Sequence, residues 1–324
     1  MLRYSIRLKY IISFLVSIIP TFLYSYEYDF TVAPDGSGDY LKVQDAINAI
    51  PNLRKNRTYI FIKNGIYKEK LILPTTKENV TLIGECADST IITYDDHAKT
   101  KNIFGESLGT SGSSGFYIFG NGFQAENITF SNTAGPVGQA VAVRIDADKV
   151  VFKNCRFLGN QDTLYPHGEE SRQYYKNCYI EGTVDFIFGW STAVFDSCHI
   201  HCLKKEGSYI TAASTIQETE FGFIFRNCRI TGNSDEPNYY LGRPWRPYSN
   251  VVFLHCFLDK HIIPEGWHNW GDNEKEKTAR YAEYDNFGPG SNVEKRVAWA
   301  RQLSSEEAKK YSLDNIFKDW NPNE

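Results

Sequence analysis

Two absences narrow the class of protein to which this chain can belong. Its most apolar stretch, residues 11–23, is interrupted by Pro20 and falls short of the roughly 20 residues that a membrane-spanning helix needs. Basic residues are not in excess, and the formal net charge of -4 disfavours nucleic acid as a partner. The chain is therefore expected to bind neither nucleic acid nor, once its N-terminal segment is removed, a membrane.

The first 25 residues have the pattern of a secretory signal peptide. Arg3, Arg7 and Lys9 precede the apolar stretch, and Ser25 is a small residue at a plausible cleavage point. No cysteine lies near that point, which argues against a bacterial lipoprotein. The sequence predicts a secreted protein, periplasmic or extracellular, and an uncleaved membrane anchor is the alternative. No linker divides residues 26–324, so we expect them to form one domain.

Seven cysteines are an odd number for a secreted chain. Five of them lie in copies of one short strand-like segment, in which branched or aromatic residues surround the cysteine: Cys155, Cys178, Cys198, Cys228 and Cys256. A cysteine without a partner behaves as a small buried apolar residue. The pattern therefore favours a stack of mostly reduced thiols over a disulfide framework.

Zinc is the alternative for one of these segments. His199 and His201 lie next to Cys198 and Cys202 in the segment DSCHIHC. This segment is one more copy of the strand repeat, however, and histidine is missing from the motifs described below. We expect no metal and no cofactor.

The repeats follow one another at intervals of 20 to 30 residues, which indicates a solenoid. The leucine spacing of a leucine-rich repeat is absent, and so is a helical half-repeat. Short strands with asparagine or glycine at the corners, and an aromatic content of 15%, favour an all-β parallel β-helix. Asn127, Asn154, Asn177 and Asn227 precede the inward residue of their copies, and we expect their side chains to satisfy backbone groups of the turns.

The two ends of the domain depart from the repeat. Residues 43–50 have apolar positions at helical spacing and are followed by Pro51, which predicts a helix that caps the first coil. From about residue 271 the chain is charged and the repeat is lost. Ser304 and Glu307 form a capping-box pattern, so we expect a C-terminal arm of loop and short helix along the outside.

Three polar residues recur at a spacing of 23, namely Gln139, Asp162 and Asp185. In a β-helix of that period they stack in one column, on rungs about 4.8 Å apart. Alternation places Asp185 outside the core if Phe186 is inside. Two carboxylates so close cannot both ionise easily, which makes one of them an acid and the other a base. The alternative is a solvated pair of aspartates on a sheet face.

Arg243 and Trp245, in the segment YYLGRPWRP, complete the candidate site. Arg243 follows Asp185 by 58 residues, about two of the longer coils. An arginine next to a carboxylate keeps it ionised and binds it through two hydrogen bonds. Trp245 offers a flat apolar face that suits a sugar ring. Considered alone, the segment is also compatible with a packed loop anchor.

Four segments resemble the signature segments of the pectin methylesterase (pectinesterase) family and occur in the family's order. They are GQAVAVR at 138–144, GNQDTLY at 159–165, GTVDFIFG at 182–189 and LGRPW at 241–245. The resemblance spans about residues 29–320 and implies a right-handed parallel β-helix. It also implies a secreted aspartyl esterase that removes methyl groups from pectin (homogalacturonan), as in pectin degradation and cell wall modification. The signal peptide and the loop YPHGEES suggest an exported bacterial-type member.

The resemblance also implies roles for individual residues. Asp185 would be the nucleophile and Asp162 the acid and base. Gln139 and Gln161 would donate hydrogen bonds to an oxyanion, and Arg243 would hold Asp185 ionised. The family's sugar-contacting aromatics correspond to Tyr165, Phe188, Tyr240, Trp245 and Trp270, although Trp267 is an alternative to Trp270.

Other activities stay open at this point. A retaining glycoside hydrolase also uses two close carboxylates, but it has no oxyanion for paired glutamines to bind. A non-catalytic glycan-binding solenoid would be expected to lack one of the aspartates or Arg243, and all are present. An esterase or thioesterase of the same fold with a non-pectin substrate is the third alternative. We expect a monomer whose partner is methylesterified polygalacturonan.

Overall fold

The computed structural model describes residues 27–323, and the predicted signal peptide lies outside this range. Within it, all strands belong to three parallel sheets, and successive strands visit the three sheets in turn along most of the chain. Each coil is therefore stacked on the one before it. The predicted parallel β-helix is confirmed. No helix in the described range is long and apolar enough to cross a membrane.

The strands are numbered in chain order. The first sheet contains β1 (Phe30–Val32), β2 (Thr58–Ile62), β5 (Val80–Gly84), β8 (Gln124–Glu126), β11 (Val150–Lys153), β14 (Arg172–Lys176), β17 (Thr192–Asp196), β20 (Phe223–Arg226), β23 (Asn250–Leu254), β25 (Arg280–Tyr284) and β26 (Arg301–Gln302). The second sheet contains β4 (Leu71–Leu73), β7 (Phe116–Ile118), β10 (Val143–Ile145), β13 (Leu164–Pro166), β16 (Ile187–Gly189), β19 (Ser208–Ala213) and β22 (Tyr239–Pro244). The third sheet contains β3 (Gly65–Lys68), β6 (Thr90–Tyr94), β9 (Thr129–Asn132), β12 (Arg156–Leu158), β15 (Tyr179–Gly182), β18 (His199–Cys202), β21 (Arg229–Gly232) and β24 (Phe257–Leu258).

The core is a column of side chains that repeats from coil to coil. In the first sheet, one inward position carries an aromatic ring in five successive coils, and neighbouring rings are stacked: Phe152, Tyr175, Phe195, Phe225 and Phe253. Their centroids are 4.4 to 5.1 Å apart. Because parallel strands place equivalent side chains next to one another, the repeat in the sequence becomes a continuous aromatic stack.

The corner asparagines have a different role from the one predicted. Asn127, Asn154, Asn177 and Asn227 all have φ between 52 and 55°, in the left-handed region. Their side chains make no hydrogen bond to other residues of the described range, so the expectation that they satisfy backbone groups of the turns is wrong. Asparagine is suited to these corners because it adopts the left-handed conformation at lower cost than most residues.

The N-terminal helix and the C-terminal arm lie where they were predicted. Helix α1 (Val43–Ala49) buries Val43, Ala46 and Ile47 against the first coil. Four further short helices follow, α2 (Gly109–Gly112), α3 (Asn273–Glu276), α4 (Ser305–Ala308) and α5 (Leu313–Phe317), with 3-10 turns at Val293–Lys295 and Lys309–Tyr311. Helix α4 has the predicted capping box. Helix α5 buries Ile316 and Phe317 on the outer face of the first sheet, so the C-terminal arm lies where it was expected.

The cysteines form a column of buried thiols next to the aromatic stack. Each thiol of the five repeats donates to a backbone carbonyl of the preceding coil, for example Cys228 Sγ to the oxygen of Phe195 at 3.2 Å. No disulfide joins the cysteines of the described range, in which Cys86 alone is exposed. Burial raises the pKa of Cys155 to about 12 and raises those of Cys198 and Cys228 well above their usual range.

We predict that a thiol reagent titrates one cysteine in the native protein and seven after denaturation. Cys86 is exposed, whereas the other six thiols are buried and sterically closed to the reagent. A colorimetric thiol assay with and without guanidinium chloride measures both numbers, and Cys86→Ser should abolish the native signal. Fewer than seven thiols after denaturation without a reductant would mean that a disulfide is present.

Candidate active site

A cavity of about 420 Å³ opens on the outer face of the second sheet, over β13, β16 and β19. Its lining includes both glutamines, both aspartates and the arginine predicted from the sequence: Gln139, Gln161, Asp162, Asp185 and Arg243. Four of the five predicted aromatic contacts also line it. The structure therefore brings together residues that span more than a hundred positions of the chain.

The two aspartates lie on adjacent rungs. The amide of Asp162 donates to the oxygen of Val184 at 3.1 Å, and β13 pairs with β16 in the register Leu164 to Ile187, so Asp162 stands over Asp185. Neighbouring rungs are about 4.8 Å apart. The 23-residue spacing of these two acids was thus interpreted correctly.

Each aspartate has a left-handed backbone and lies two residues before its strand begins, with φ of 65° for Asp162 and 50° for Asp185. The alternation argument treated Asp185 as a strand residue, whereas β16 begins two residues later, at Ile187. Phe186 is fully buried in the core, which directs Asp185 outward as expected. Gly182 makes this turn possible, because a Cβ on it would lie 2.2 Å from the Cβ of Phe186.

Gln139 does not continue the aspartate column. It pairs with Gln161, whereas the spacing of 23 had placed it next to Asp162. The coil is shorter here, since Val143 pairs with Leu164 only 21 residues later. The two glutamine side chains line the cavity and make no hydrogen bond within the described range. Their amide groups are therefore free to donate to a bound group.

Arg243 binds Asp185 through two hydrogen bonds. Its Nε donates to Oδ1 at 2.9 Å and a terminal nitrogen donates to Oδ2 at 2.6 Å. The register pairs Arg243 with Ala212 and Ala212 with Phe188, so the arginine side chain reaches back past one rung to meet the acid. The small side chain of Ala212 leaves room for it.

The two acids differ in their electrostatic surroundings. Both are buried, with relative exposures of 7% for Asp162 and 5% for Asp185. Burial raises the pKa of Asp185, but its hydrogen bonds to Arg243 oppose the rise. Burial and the charge of Asp185 together raise the pKa of Asp162 well above its usual range. The carboxyl group of Asp162 makes no hydrogen bond or ion pair within residues 27–323. The site therefore favours a protonated Asp162 next to an ionised Asp185.

The predicted aromatic residues fall into two groups. Tyr165 and Phe188 are stacked at 4.0 Å between centroids, Trp245 lies 6.1 Å from Phe188, and all three line the cavity with Trp270. Tyr240 does not line the cavity but stacks on Tyr209 at 5.4 Å.

The choice between the two tryptophans is decided by packing. Trp267 is buried in the core, and its indole N–H donates to Glu283. Trp270 faces the cavity. Trp270 is therefore the tryptophan that a bound sugar can reach.

Sequence reasoning missed one wall of the cavity. The cavity is also lined by Leu108, Gly109, Thr110 and Ser111, at the start of α2. These residues are uncharged and belong to no repeat, so no local feature of the sequence marks them as part of a site. Ala212 was also missed, although it occupies the rung between the segments GTVDFIFG and LGRPW.

The residues once considered for zinc lie on opposite faces of β18. Cys198 and Cys202 point into the core, whereas His199 and His201 face outward and hydrogen-bond to Thr231 Oγ1. Within residues 27–323, no cluster of three or more His, Cys, Asp or Glu could hold a metal ion. The expectation that no metal takes part stays a prediction.

Comparison with known proteins defines the class. The Pectinesterase family model matches residues 29–319. Pectinesterase 31 of Arabidopsis thaliana is 46% identical over 285 residues, which cover 86% of this chain and 88% of that protein. Pectin methylesterase from carrot superposes with a TM-score of 0.84 at 36% identity, over 91% of this chain and 94% of that one. The chain belongs to the pectinesterase family.

A further solved structure contains a bound sugar. It is a pectin methylesterase in complex with a hexasaccharide, with a TM-score of 0.82 at 29% identity, over 92% of this chain and 99% of that one. The Arabidopsis and carrot relatives are plant proteins. The expectation of a bacterial-type member therefore stays a prediction.

We predict that Asp162→Asn makes the protein more stable than the wild type at pH 8 but not at pH 4. The raised pKa of Asp162 means that the folded state resists its ionisation. This penalty is absent below the unfolded pKa of about 4 and grows as pH rises above it. Thermal unfolding should show a gain of at least about 2–4 °C at pH 8, the shift that about 1 kcal/mol produces in a large domain.

The control for this prediction is Asp235→Asn. Lys260 lowers the pKa of this exposed carboxyl, so its loss should not raise the unfolding temperature at pH 8. An equal gain for Asp162→Asn at both pH values would contradict the assignment of a protonated, strained Asp162.

Proposed function

We propose that this protein hydrolyses the methyl esters of pectin, with Asp185 as nucleophile and Asp162 as general acid and base. The observation that carries the proposal is the asymmetry of the two buried acids. Arg243 binds Asp185 through two hydrogen bonds, whereas Asp162 has no cation of its own. One carboxyl is therefore suited to attack as an anion, and its neighbour is suited to donate a proton.

In the first half-reaction, an Asp185 oxygen attacks the ester carbonyl carbon, and the carbonyl oxygen becomes an oxyanion. The side-chain amides of Gln139 and Gln161 donate hydrogen bonds to that oxyanion. When the intermediate collapses, the bond to the methoxy oxygen breaks and Asp162 gives its proton to that oxygen. Methanol leaves, and the galacturonate carbonyl stays bound to Asp185 as a mixed anhydride.

In the second half-reaction, Asp162 is a carboxylate and takes a proton from water. The hydroxyl attacks the carbonyl carbon of the anhydride, and the bond to the Asp185 oxygen breaks. Asp185 returns as a carboxylate paired with Arg243, Asp162 is again protonated, and the product is a free galacturonic acid group. The sum of the two steps is ester plus water giving acid plus methanol.

The glutamine pair favours an esterase over a glycoside hydrolase. A retaining glycosidase also places two carboxyls about 5 Å apart, but its transition state carries positive charge on the sugar. Two amide donors next to the acids stabilise negative charge instead. The same pair, together with Arg243, argues against a non-catalytic glycan-binding solenoid.

The aromatic lining supports a polysaccharide as substrate. The cavity that holds the two acids is also lined by apolar ring surfaces of the kind on which sugar rings pack, those of Tyr165, Phe188, Trp245 and Trp270. Tyr240 is proposed to contact the chain beyond the cavity. Secretion, action as a monomer and independence of any metal or cofactor belong to the same proposal. A non-pectin ester of similar shape is the alternative that the test must separate.

The test is methanol release from highly methylated pectin, with reducing ends measured in parallel. The wild type should release methanol and no new reducing ends. Asp185→Asn should lose at least about 10³-fold in rate because no carboxylate remains to attack. Asparagine tolerates the left-handed backbone of this position, so the fold should be retained. New reducing ends without methanol, or hydrolysis of other esters but not pectin, would overturn the proposal.

We predict a different defect for Asp162→Asn. Its amide can neither protonate methoxide nor deprotonate water, and loss of such proton transfer costs about 10²–10⁴-fold. An ester whose leaving group needs no protonation should still acylate Asp185, and stopped-flow measurement should show a burst without turnover. Asp185→Asn should show no burst. Substantial turnover by Asp185→Asn, without a burst for Asp162→Asn, would reverse the two roles.

A further inference from the structure

Arg243 lies between two aromatic rings. Its guanidinium carbon is 3.7 Å from the ring centroid of Tyr209 and 3.7 Å from that of Trp270. Within the described range, no ring-to-ring contact joins Tyr209 and Trp270. Two rings that each lie this close to one carbon atom without touching must lie on different sides of it. Arg243 is therefore stacked on both faces.

The stack continues on either side. Tyr209 is parallel to Tyr240, with 5.4 Å between centroids and 12° between planes. On the other side, Lys275 Nζ lies 5.3 Å from the Trp270 ring. The backbone N–H of Trp270 donates to His268 Nδ1 at 2.9 Å, which holds the loop that carries the indole. Both rings that contact Arg243 are thus supported by neighbours of their own.

The position of Tyr209 explains why Arg243 needs such support. Arg243 is on β22 and Asp185 precedes β16, two rungs away, or about 9–10 Å. Tyr209 is on β19, the rung between them, and its carbonyl accepts the backbone N–H of Asp185 at 2.9 Å. A long arginine side chain loses considerable rotamer entropy when it is fixed over such a span. The Arg243 side chain crosses β19, and the Tyr209 ring against which it stacks belongs to that strand.

We propose that Tyr209 and Trp270 are positioning residues, which clamp the Arg243 guanidinium in the plane that binds both oxygens of Asp185. This inference rests on the proposed function and adds to it a residue, Tyr209, that does not line the cavity. It also assigns Trp270 a second role, because one face of its indole is covered by Arg243. The sugar-facing apolar surface is then mainly that of Tyr165, Phe188 and Trp245.

The clamp acts on Asp185 through Arg243. A guanidinium free to rotate makes one hydrogen bond to the carboxylate for part of the time, so the carboxylate is less stabilised and less well oriented. The titratable groups that face this pair are Asp162, His268, Lys275 and Tyr281. Since Tyr209 does not line the cavity, its replacement should affect the chemical step rather than the binding of substrate.

The test compares Tyr209→Leu with the wild type on methylated pectin. We expect kcat to fall about 10-fold, as misplacement of a reacting group does, with KM changed less than about 3-fold. The acid limb of the kcat profile should move to higher pH, because Asp185 is then protonated at higher pH. Tyr209→Phe keeps the ring and should restore kcat and the acid limb to near the wild-type values.

Two controls separate a clamp from a general loss of structure. Tyr179→Leu removes a ring that Arg156 covers at 5.3 Å on the third sheet, away from the cavity, and should leave kcat and the acid limb unchanged. The profile is repeated with His268→Gln, because burial and the nearby Arg243 lower the pKa of His268, so its own titration could contribute to the acid limb. Glutamine can still accept the Trp270 N–H. Circular dichroism and thermal unfolding confirm that each variant is folded.

A double-mutant cycle gives the decisive result. Lysine has no planar guanidinium for the two rings to hold in place. In the Arg243→Lys background, the further change Tyr209→Leu should therefore lower kcat by less than about 2-fold. Equal costs in both backgrounds would overturn the clamp. So would a Tyr209→Leu effect confined to KM with an unmoved acid limb, which would make Tyr209 a substrate contact.

A readout without substrate keeps the clamp separate from the proposed function. In protein labelled with ¹³C at aspartate carboxyls, the pKa of Asp185 should be higher in Tyr209→Leu than in the wild type and Tyr209→Phe. This shift should appear even if the wild type releases no methanol, an outcome that would reject only the proposed function. An unchanged Asp185 pKa in Tyr209→Leu would reject the clamp.

Discussion

In a parallel β-helix each coil is hydrogen-bonded to the coil before it and the coil after it, so equivalent positions lie about 4.8 Å apart. This stacking is what the rest of the molecule depends on. It aligns the rings of Phe152, Tyr175 and Phe195 into a continuous core, and it brings the thiols into a second column. On the outer face of the second sheet, the same constraint places Asp162 over Asp185. The core columns and the proximity of the two aspartates thus both follow from the constant distance between rungs.

The stacking places two carboxyl groups close together, and the cost of ionising both gives the two groups different protonation states. Two carboxyls on adjacent rungs, both nearly closed to solvent, cannot both be ionised at low cost. Arg243 is bound to one of them only, and this breaks the symmetry between two residues of the same type. The arginine is in turn held by Tyr209 and Trp270. The proposed reaction therefore depends on a side chain whose position is set by three successive rungs of the second sheet.

The fold and most of the site could be predicted because the repeat is visible in the chain. The cysteine copies and the pattern of residues 43–50 are recognisable from local sequence, and the spacing of Asp162 and Asp185 equals the length of the coil that joins them. The position of Gln139 was mispredicted because the coil length changes there. Gln139 pairs with Gln161 because that coil is shorter than the next one. Equal spacing in sequence implies equal position only where the corner turns have equal length.

The sequence by itself determined the β-helix, its capped ends and the outward direction of Asp185, because alternation and repetition are properties of neighbouring residues. Left-handed corners were marked by asparagine, although their physical reason lies in the backbone and not in the side-chain amide. Only the tertiary structure decided that Trp267 is buried while Trp270 faces the cavity, since the two lie in similar local sequence. It also decided that Tyr209 supports Arg243. Such contacts join coils of unequal length, and their partners are chosen by packing in three dimensions.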